Sequence, residues 1–407
     1  MSSHSIHDFS AKLRQPGVLP GVQSYVTWQS ELRAARAKGL PEPPPPAEHA
    51  PISINLDLTT ACNYRCDHCI DWDILNSPFK HDEDELVANL EHMAERGLRS
   101  VILIGGGEPT VYPRFVEFTK RLKELKLQVA VVSNGSRGEK LLEIAPFLDD
   151  KDWIRLSLDS GSNELFRAMH NPTDKSLTLD AICEWIPKIK AANPAPRLGF
   201  SYIIVWDGAQ RGDDVPIHEN VQEIVQATER AKASGFDYIS LKPFLERTPE
   251  GAEVMDPSDA TSEFGAMLKR IRTEVDKALT LVDDDFSVYV STNLAMLETG
   301  DWSEYTKQPK MCHMQALRQV LTPTGLFNCP AHRGVDKAQI AGKGAFADSG
   351  RCVETTGKLA GLLDSFDASH ECREVTCLYN KVNWWLEETI EAGETIEASP
   401  ERGDYFL

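Results

Sequence analysis

The sequence lacks a hydrophobic run long enough to cross a membrane, and it is short of positive charge. No uninterrupted apolar stretch in its 407 residues approaches the roughly 20 residues that a spanning helix needs. The opening MSSHSIHDFS has neither the basic nor the apolar segment of a secretory signal. Lys and Arg number 43 against 62 Asp and Glu, giving a net charge of −19, which disfavours nucleic acid but not anionic small molecules. We therefore expect a cytoplasmic protein with no membrane or nucleic-acid partner.

The remaining composition is that of a globular protein with an unusual number of thiols. A hydrophobic content of 41% and a charged content of 26% are typical of globular chains. The length is sufficient for one sizeable domain and a smaller one. Nine cysteines in an intracellular chain indicate metal or catalytic sites more than disulfides.

Three of these cysteines lie within one eight-residue segment, CNYRCDHC, which runs from Cys62 through Cys66 to Cys69. Soft thiolates at this spacing select iron–sulfur clusters, zinc or copper(I). A cubane cluster normally takes four thiolates, so three leave one iron open to another ligand. A zinc ion needs a fourth ligand, which His68 or a distant residue could supply. The spacing favours a cluster and leaves zinc open as the alternative.

Around this segment, short apolar strands alternate with amphipathic helices. One predicted helix begins at the N-cap Asp82 and ends at Gly97. This alternation predicts an α/β fold with a parallel sheet, either doubly wound or an open barrel, whose ligands lie at the carboxyl ends of the strands. The six predicted strands are Ile52–Leu58, Val101–Ile104, Val129–Val132, Trp153–Leu158, Leu198–Val205 and Tyr238–Leu241.

A second motif, GGGEP, follows the second predicted strand. Its residues are Gly105, Gly106, Gly107, Glu108 and Pro109. Together with the cysteine segment, in this order and each at a strand end, it resembles the radical S-adenosylmethionine (radical SAM) superfamily. The resemblance implies a partial (β/α)6 TIM-like barrel and a 4Fe-4S cluster on Cys62, Cys66 and Cys69. It also implies that SAM binds the open iron, with its methionine amino group held by the glycine backbone and Glu108.

The same resemblance extends to other polar residues at strand ends. His68 stands where the family usually has an aromatic residue, and its imidazole can still stack on adenine. Ser133, Asn134, Ser157 and Asp159 resemble family positions that contact the ribose hydroxyls or the methionine carboxylate, although ordinary turn chemistry explains Asn134 and Asp159 equally well.

Two residues on later strands are candidates for contact with a substrate. We predict that Lys242 and Tyr202 face the substrate side of the barrel, with a salt bridge at the rim as the alternative for Lys242. Cys352, in a predicted Gly/Ala-rich loop, matches no ligand pattern. It is a free thiol, an alternative cluster ligand or a hydrogen-atom donor to a substrate radical.

Four further cysteines, Cys312, Cys329, Cys372 and Cys377, lie in the C-terminal part. A predicted hairpin over Val320–Phe327, with its turn at Pro-Thr-Gly, brings Cys312 and Cys329 within reach of one metal. Four thiolates complete a cluster with no open iron, and a zinc ion is the alternative. The region resembles the SPASM/twitch subgroup, and its cysteines are too few for two clusters. The resemblance therefore implies one auxiliary 4Fe-4S cluster.

The resemblance implies an enzyme that reductively cleaves SAM to a 5′-deoxyadenosyl radical, abstracts a substrate hydrogen and receives electrons from a flavodoxin- or ferredoxin-type protein. We favour oxidation or rearrangement of a small polar, sugar-like or natural-product substrate. The alternatives are a peptide or protein maturase and a non-catalytic iron–sulfur or zinc sensor. The predicted organisation is an N-terminal helix with a Pro-rich linker (1–50), a radical SAM core (51–245), a connecting helix and strand (246–300) and an auxiliary-cluster domain (301–407).

Overall fold

The computed structural model describes residues 8–213, 215–247, 253–254, 262–300 and 302–407. Strands within these ranges form one ten-stranded sheet and one two-stranded sheet. They are β1 (Ser53–Leu56), β2 (Ser100–Leu103), β3 (Gln128–Ser133), β4 (Trp153–Ser157), β5 (Arg197–Ile204), β6 (Tyr238–Pro243), β7 (Glu246–Arg247), β8 (Glu253–Val254), β9 (Ser287–Val290), β10 (Arg318–Thr322), β11 (Gly325–Phe327) and β12 (Gln339–Ala341).

Helices connect most of the strands and continue beyond the last one. Among the described helices, none combines the length and the apolar character needed to span a bilayer. They are α1 (Phe9–Leu13), α2 (Leu19–Lys38), α3 (Glu83–Arg96), α4 (Phe115–Glu124), α5 (Gly138–Ile144), α6 (Asn163–His170), α7 (Leu179–Cys183), α8 (Trp185–Ala192), α9 (Ile224–Ala233), α10 (Ser262–Leu279), α11 (Thr292–Thr299), α12 (Trp302–Tyr305), α13 (Met314–Leu317), α14 (Ser349–Ser365), α15 (Ala368–Glu371) and α16 (Asn380–Ala392).

The large sheet has the order β12-β11-β10-β1-β2-β3-β4-β5-β6-β9. Strands β1 to β6 lie side by side in chain order and are all parallel, so the predicted (β/α)6 arrangement is confirmed. The strand predicted near residue 286 is β9, which adds a seventh parallel strand beside β6.

The C-terminal hairpin joins the same sheet. Strand β10 pairs in parallel with β1, and β11 and β12 follow it in antiparallel pairing. A boundary at residue 301 therefore does not separate two sheets, although it remains a prediction for where the auxiliary region begins.

Successive residues of the central strands face two different buried environments. On β4, Ile154 and Leu156 belong to the main hydrophobic core, whereas Trp153 packs with Phe406 at a ring distance of 5.5 Å. The first face contacts the helices and the second lines the barrel interior. Because side chains alternate with period two, Arg155 shares the interior face with Trp153.

Strand β1 shows why its alternating sequence does not mean that one face is exposed. All four of its residues are buried. The polar residues point into the barrel, where Ser100 Oγ donates to Ser53 Oγ at 2.8 Å and Arg318 donates to Asn55 Oδ1 at 2.9 Å. The alternation therefore separates an apolar helix-facing side from a hydrogen-bonded interior.

The N-terminal part contacts the C-terminal part. The predicted N-terminal helix is α2, which ends at Gly39 with a φ of 64°. Residues 41–46 form no helix or strand, in keeping with an extended Pro-rich linker. From α2, Arg33 donates two hydrogen bonds, of 3.0 and 2.8 Å, to Glu387 on α16. We infer that α2 stabilises the position of α16 in the C-terminal region.

The substitution Glu387→Gln is expected to destabilise the chain in a pH-dependent way. Burial opposes ionisation, but hydrogen bonds from His313 (2.6 Å) and Arg33 lower the pKa of Glu387 to about 2. Because the pKa of Glu387 is lower in the folded than in the unfolded chain, its carboxylate stabilises the fold above about pH 4.5. This stabilisation is lost as the pH falls toward 2. We expect a loss in free energy of unfolding of about 1–3 kcal/mol at pH 7 and less than half of that loss at pH 3, measured by urea denaturation without oxygen.

A matched control is available on the same helix. Glu391 lies 4.0 Å from Arg33, and its side chain is 66% exposed. Surface ion pairs of this kind contribute about 1 kcal/mol or less, so Glu391→Gln should have little effect. An equal destabilisation by Glu387→Gln at both pH values would show that its charge is not the cause.

Candidate active site

The cysteine segment lies directly against the glycine motif. The Glu108 N–H donates to the Ala61 carbonyl at 2.9 Å. A Cβ atom added to Gly107 would lie 2.2 Å from the same oxygen. Gly105 and Gly106 have φ angles of +83° and +65°, which L-residues with side chains rarely adopt. The three glycines are thus required by the close approach of the two motifs.

The thiols of Cys62, Cys66 and Cys69 are partly exposed at the end of the barrel. Burial and the neighbouring Cys69 and Cys62 thiols raise the pKa of Cys66, and burial is also the main cause of the raised pKa values of Cys62 and Cys69. A cationic metal centre reverses this effect, because it stabilises thiolates. The chemistry of this donor set therefore fits a metal centre that is shared by the three thiols.

The potential ligand atoms of the described chain that lie close enough together to share one metal ion include a single thiol. Within the described residues, the group of three or more potential ligands lying within 4.8 Å of one another is Cys66, His68 and His170, which contains one thiol. Thiolates on one tetrahedral zinc lie about 3.8 Å apart, given Zn–S bonds of about 2.3 Å. Neither set of cysteines has three thiols within 4.8 Å of one another. Thiolates that bind separate irons of a cluster do not have to lie so close together.

His68 connects the cysteine segment to the end of β4. Its Nδ1 lies 2.9 Å from Asp67 Oδ1 and its Nε2 lies 3.1 Å from Asp159 Oδ2. Although burial opposes the charge, these two carboxylates raise the pKa of His68 to about 9. A protonated His68 therefore donates to both. This bridge orients the ring, and stacking on adenine remains a prediction.

His170 is a site residue that sequence reasoning missed. It is the last residue of α6, and its Nδ1 lies 3.3 Å from Cys66 Sγ while its Nε2 lies 3.0 Å from the Leu158 carbonyl oxygen. The Nε2–H donates to that carbonyl, which leaves Nδ1 facing the sulfur. Burial, together with charged His68, lowers the pKa of His170 to about 4. No local sequence signal marks a histidine 104 positions from its cysteine partner.

Glu108 is buried and held by four hydrogen bonds. Its Oε1 accepts from Thr110 N (3.0 Å), Thr110 Oγ1 (2.6 Å) and Ser133 Oγ (2.7 Å), whereas its Oε2 accepts from Asn134 N (2.7 Å). Burial raises the pKa of Glu108. Since a carboxylate oxygen has two lone pairs, Oε2 retains room for one more donor, which fits a ligand ammonium.

The polar residues predicted to contact SAM have different surroundings. The Asn134 side chain donates to Asn63 Oδ1 at 2.9 Å and so contacts the cysteine segment. Asp159 has a φ of 47°, and its Oδ1 accepts from Ile203 N at 2.6 Å, which leaves it engaged within the protein. Ser157 faces the barrel interior. Contacts of these residues with ribose or with the methionine carboxylate remain predictions.

Arg333 ties the C-terminal region to the same site. Its guanidinium pairs with Asp71 and lies 3.6 Å from Asp57 Oδ1. Asp71 Oδ2 also accepts from the Gly106 N–H at 3.2 Å. Burial, with Asp71 nearby, raises the pKa of Asp57 to about 7 although Arg333 opposes this. Sequence reasoning missed this contact, because its members come from opposite ends of the chain.

Of the predicted substrate-side residues, only Lys242 faces the barrel interior. Tyr202 is a correction: it is fully buried on the helix-facing side, where its hydroxyl donates to the Asn220 carbonyl at 2.6 Å. Cys352 lies in helix α14 and not in a loop. Its thiol is buried and lies 3.7 Å from the Phe346 carbonyl oxygen. The structure thus supports the free-thiol alternative for Cys352.

The second set of cysteines, Cys312, Cys329, Cys372 and Cys377, lines one cavity. Burial, followed by repulsion from the other three thiols, raises the pKa of Cys372 well above its usual value. His332 Nε2 lies 3.5 Å from Cys372 Sγ. These four thiols fit a second metal centre.

Comparison with known proteins gives matches for the sequence and for the fold. A family model described as the radical SAM superfamily matches residues 56–209. The chain is 34% identical over 108 residues to an S-adenosylmethionine-dependent nucleotide dehydratase of a Thermoplasmatales archaeon, a match that covers 26% of this chain and 38% of that protein. It is 32% identical over 139 residues to mycofactocin maturase MftC of Mycobacterium tuberculosis, covering 33% and 34% of the two chains.

A solved structure extends the likeness beyond the core. Streptococcus suis SuiB bound to S-adenosylmethionine superposes with a TM-score of 0.53 at 15% identity, covering 73% of this chain and 64% of that chain. At this identity the likeness concerns the fold alone. The chain spans 38% of the length of the dehydratase and less than two thirds of SuiB.

Proposed function

The radical SAM superfamily model matches residues 56–209, and on this premise we propose that the chain is an enzyme that reductively cleaves SAM and abstracts a hydrogen atom from a substrate. The observation that carries the proposal is the packing of a three-thiol segment on a glycine motif. There the Glu108 N–H donates to the Ala61 carbonyl at 2.9 Å. The Glu108 carboxylate, beside that contact, keeps one acceptor site free.

In this proposal Cys62, Cys66 and Cys69 hold a 4Fe-4S cluster, and Glu108 with the glycine backbone holds the methionine amino group of SAM. The bound cluster and SAM supply the electron and the 5′-deoxyadenosyl radical. The chain itself positions and shields this chemistry. Thr110 and Ser133 orient Glu108 through bonds of 2.6 and 2.7 Å.

The charged bridge around His68 holds the cysteine segment in place. His68 donates to Asp67, its neighbour in the segment, and to Asp159 on the barrel. Asp159 is itself fixed by the Ile203 N–H. We propose that this chain of contacts sets the distance between the cluster and the barrel interior, where a substrate would bind.

Cys312, Cys329, Cys372 and Cys377 would hold one auxiliary 4Fe-4S cluster. Four thiolates leave no open iron, so this centre suits electron transfer from a substrate radical. Arg333, which lies four residues after Cys329, contacts Asp71, which lies two residues after Cys69. This contact supports a fixed arrangement of the two centres.

For the substrate we propose a small polar molecule, with electrons delivered by a flavodoxin- or ferredoxin-type protein. The similarity to a nucleotide dehydratase supports a small substrate, and the similarity to mycofactocin maturase supports a peptide as the second candidate. Incubation with candidate sugars, nucleotides and peptides, followed by mass spectrometry, separates the two classes by which molecule changes mass.

The proposed activity predicts that the anaerobically reconstituted full chain, reduced with dithionite, converts SAM to 5′-deoxyadenosine and methionine. Chromatography of the quenched reaction measures both products. Cys183→Ala is the matched control, because Cys183 is a buried core thiol on α7 and should leave the yield unchanged. A colourless protein that contains only zinc and forms no 5′-deoxyadenosine would support the sensor alternative instead.

A further inference from the structure

Two cationic side chains inside the barrel form no hydrogen bond or ion pair within the described part of the chain. Arg155 on β4 and Lys242 on β6 are partly buried. Arg155 stacks on the Trp153 ring at 5.1 Å, and its Nε is buried without a hydrogen-bond acceptor. In the same ranges no hydrogen bond or ion pair is formed by Lys242.

The strand register places a row of hydroxyl groups between the two cations. Ser157 on β4 is the register partner of Ser201 on β5, which in turn is the partner of Ser240 on β6. Arg155 lies two residues before Ser157, and Lys242 lies two residues after Ser240, so all five side chains share the interior face. The hydroxyls of these serines form no hydrogen bond with the residues that the structure describes.

The nearest carboxylate does not neutralise these cations. Asp159 interacts with both Arg155 and Lys242, but its carboxylate already contacts His68 Nε2 and accepts from the Ile203 N–H. Burial, with Arg155 nearby, lowers the pKa of Lys242 well below its usual value. An unpaired cation in such a place destabilises a fold, and perturbed groups of this kind cluster at functional sites.

A glycine opposite Arg155 keeps the barrel floor closed. A Cβ atom added to Gly199 on β5 would lie 2.2 Å from the Tyr238 ring. The absence of that Cβ lets the Tyr238 ring from β6 pack across β5. Tyr238 is the first residue of β6 and lies at the register level of Gly199 and Arg155, so its ring lies toward the amino-terminal end of the strands. The cysteine segment, which follows β1, lies at the other, carboxyl-terminal end of the strands.

We propose that Arg155 and Lys242 bind an anionic group of the substrate, a carboxylate or a phosphate, inside the barrel, and that Ser157, Ser201 and Ser240 donate hydrogen bonds to the same ligand. This inference rests on the proposed function, since it assigns the substrate class of that site. The methionine carboxylate of SAM offers the same chemistry, and the experiment below separates the two sources.

The test uses inorganic phosphate and acetate as probes of the reconstituted full chain at constant ionic strength. Calorimetric titration is performed with and without saturating SAM. We expect saturable binding of at least one probe in both conditions, because substrate and SAM occupy the barrel together. Lys242→Met and Arg155→Met should each weaken that binding about tenfold or more, since hydrogen bonds to charged groups contribute about 1.5–3 kcal/mol.

Lys358→Met is the matched control, because it removes one positive charge from an exposed, surface-paired lysine on α14. It should change neither probe binding nor the melting temperature. Without ligand, Lys242→Met should melt at a higher temperature than the wild type, because the variant no longer buries an amino group that has no hydrogen-bond partner. If Lys242 instead has a purely structural role, Lys242→Met should lower the melting temperature.

Three results would overturn the inference. Loss of probe binding when SAM is added would assign the cations to the methionine carboxylate. Equal probe affinity in the wild type and the two variants, or no probe binding by the wild type, would show that no substrate anion site exists here. Failure of the proposed function appears separately, as absence of 5′-deoxyadenosine from the wild type.

Discussion

Replacing Cys62, Cys66 and Cys69 together by alanine is expected to lower the iron content of the reconstituted chain from about eight to about four atoms and to abolish formation of 5′-deoxyadenosine. Replacing the four C-terminal cysteines should also lower the iron content to about four but preserve SAM cleavage. The reason is that only the N-terminal set leaves an iron without a thiolate. Colorimetric iron and sulfide assays, combined with chromatography of the reaction, measure both effects.

Cys352→Ala serves as the control for both sets. Its thiol is 1% exposed and lies against the Phe346 carbonyl, so the substitution should change neither the iron content nor SAM cleavage. If either cysteine set binds one zinc ion per chain and no iron, the assignment of that set to a cluster is wrong. If removing the C-terminal set abolishes SAM cleavage while the N-terminal cluster remains intact, the proposal that only the N-terminal cluster is needed for cleavage is wrong.

The substitution Gly107→Ala adds a single methyl group and should also cause a large loss of 5′-deoxyadenosine formation. The added Cβ would lie 2.2 Å from the Ala61 oxygen and 2.7 Å from its carbonyl carbon. Both are backbone atoms, so the cysteine segment must move. A displacement of about 1 Å at a catalytic centre can lower the rate by about 100-fold, and we expect at least that loss in 5′-deoxyadenosine formation.

A glycine with open surroundings provides the comparison. An alanine at Gly357 in α14 meets no atom within 4 Å, and removing a helical glycine stabilises a fold by about 0.5–1 kcal/mol. Gly357→Ala should therefore retain full activity with an equal or higher melting temperature. Gly107→Ala with wild-type activity would mean that the two motifs do not pack as the structure shows.

The helix boundaries and the strand positions followed from local patterns. Asp82 caps α3 by accepting from Glu85 N at 3.0 Å, and Gly97 ends that helix, as the sequence predicts. Local patterns say less about which side of a buried strand faces the barrel interior. In β5 most residues of both faces are buried, although apolar Phe200 and Tyr202 alternate with Ser201, so burial does not tell the interior from the helix-facing side. The incorrect orientation of Tyr202 follows from this.

The sequence by itself determined the two cysteine sets, the glycine motif and the succession of parallel strands, because each depends on residues that are close together in the chain. Only the tertiary structure revealed His170 beside Cys66, Arg333 between Asp57 and Asp71, and the two unpaired cations inside the barrel. These contacts join segments that are distant in sequence. Their geometry is set by strand register and barrel curvature, and no single segment encodes either one.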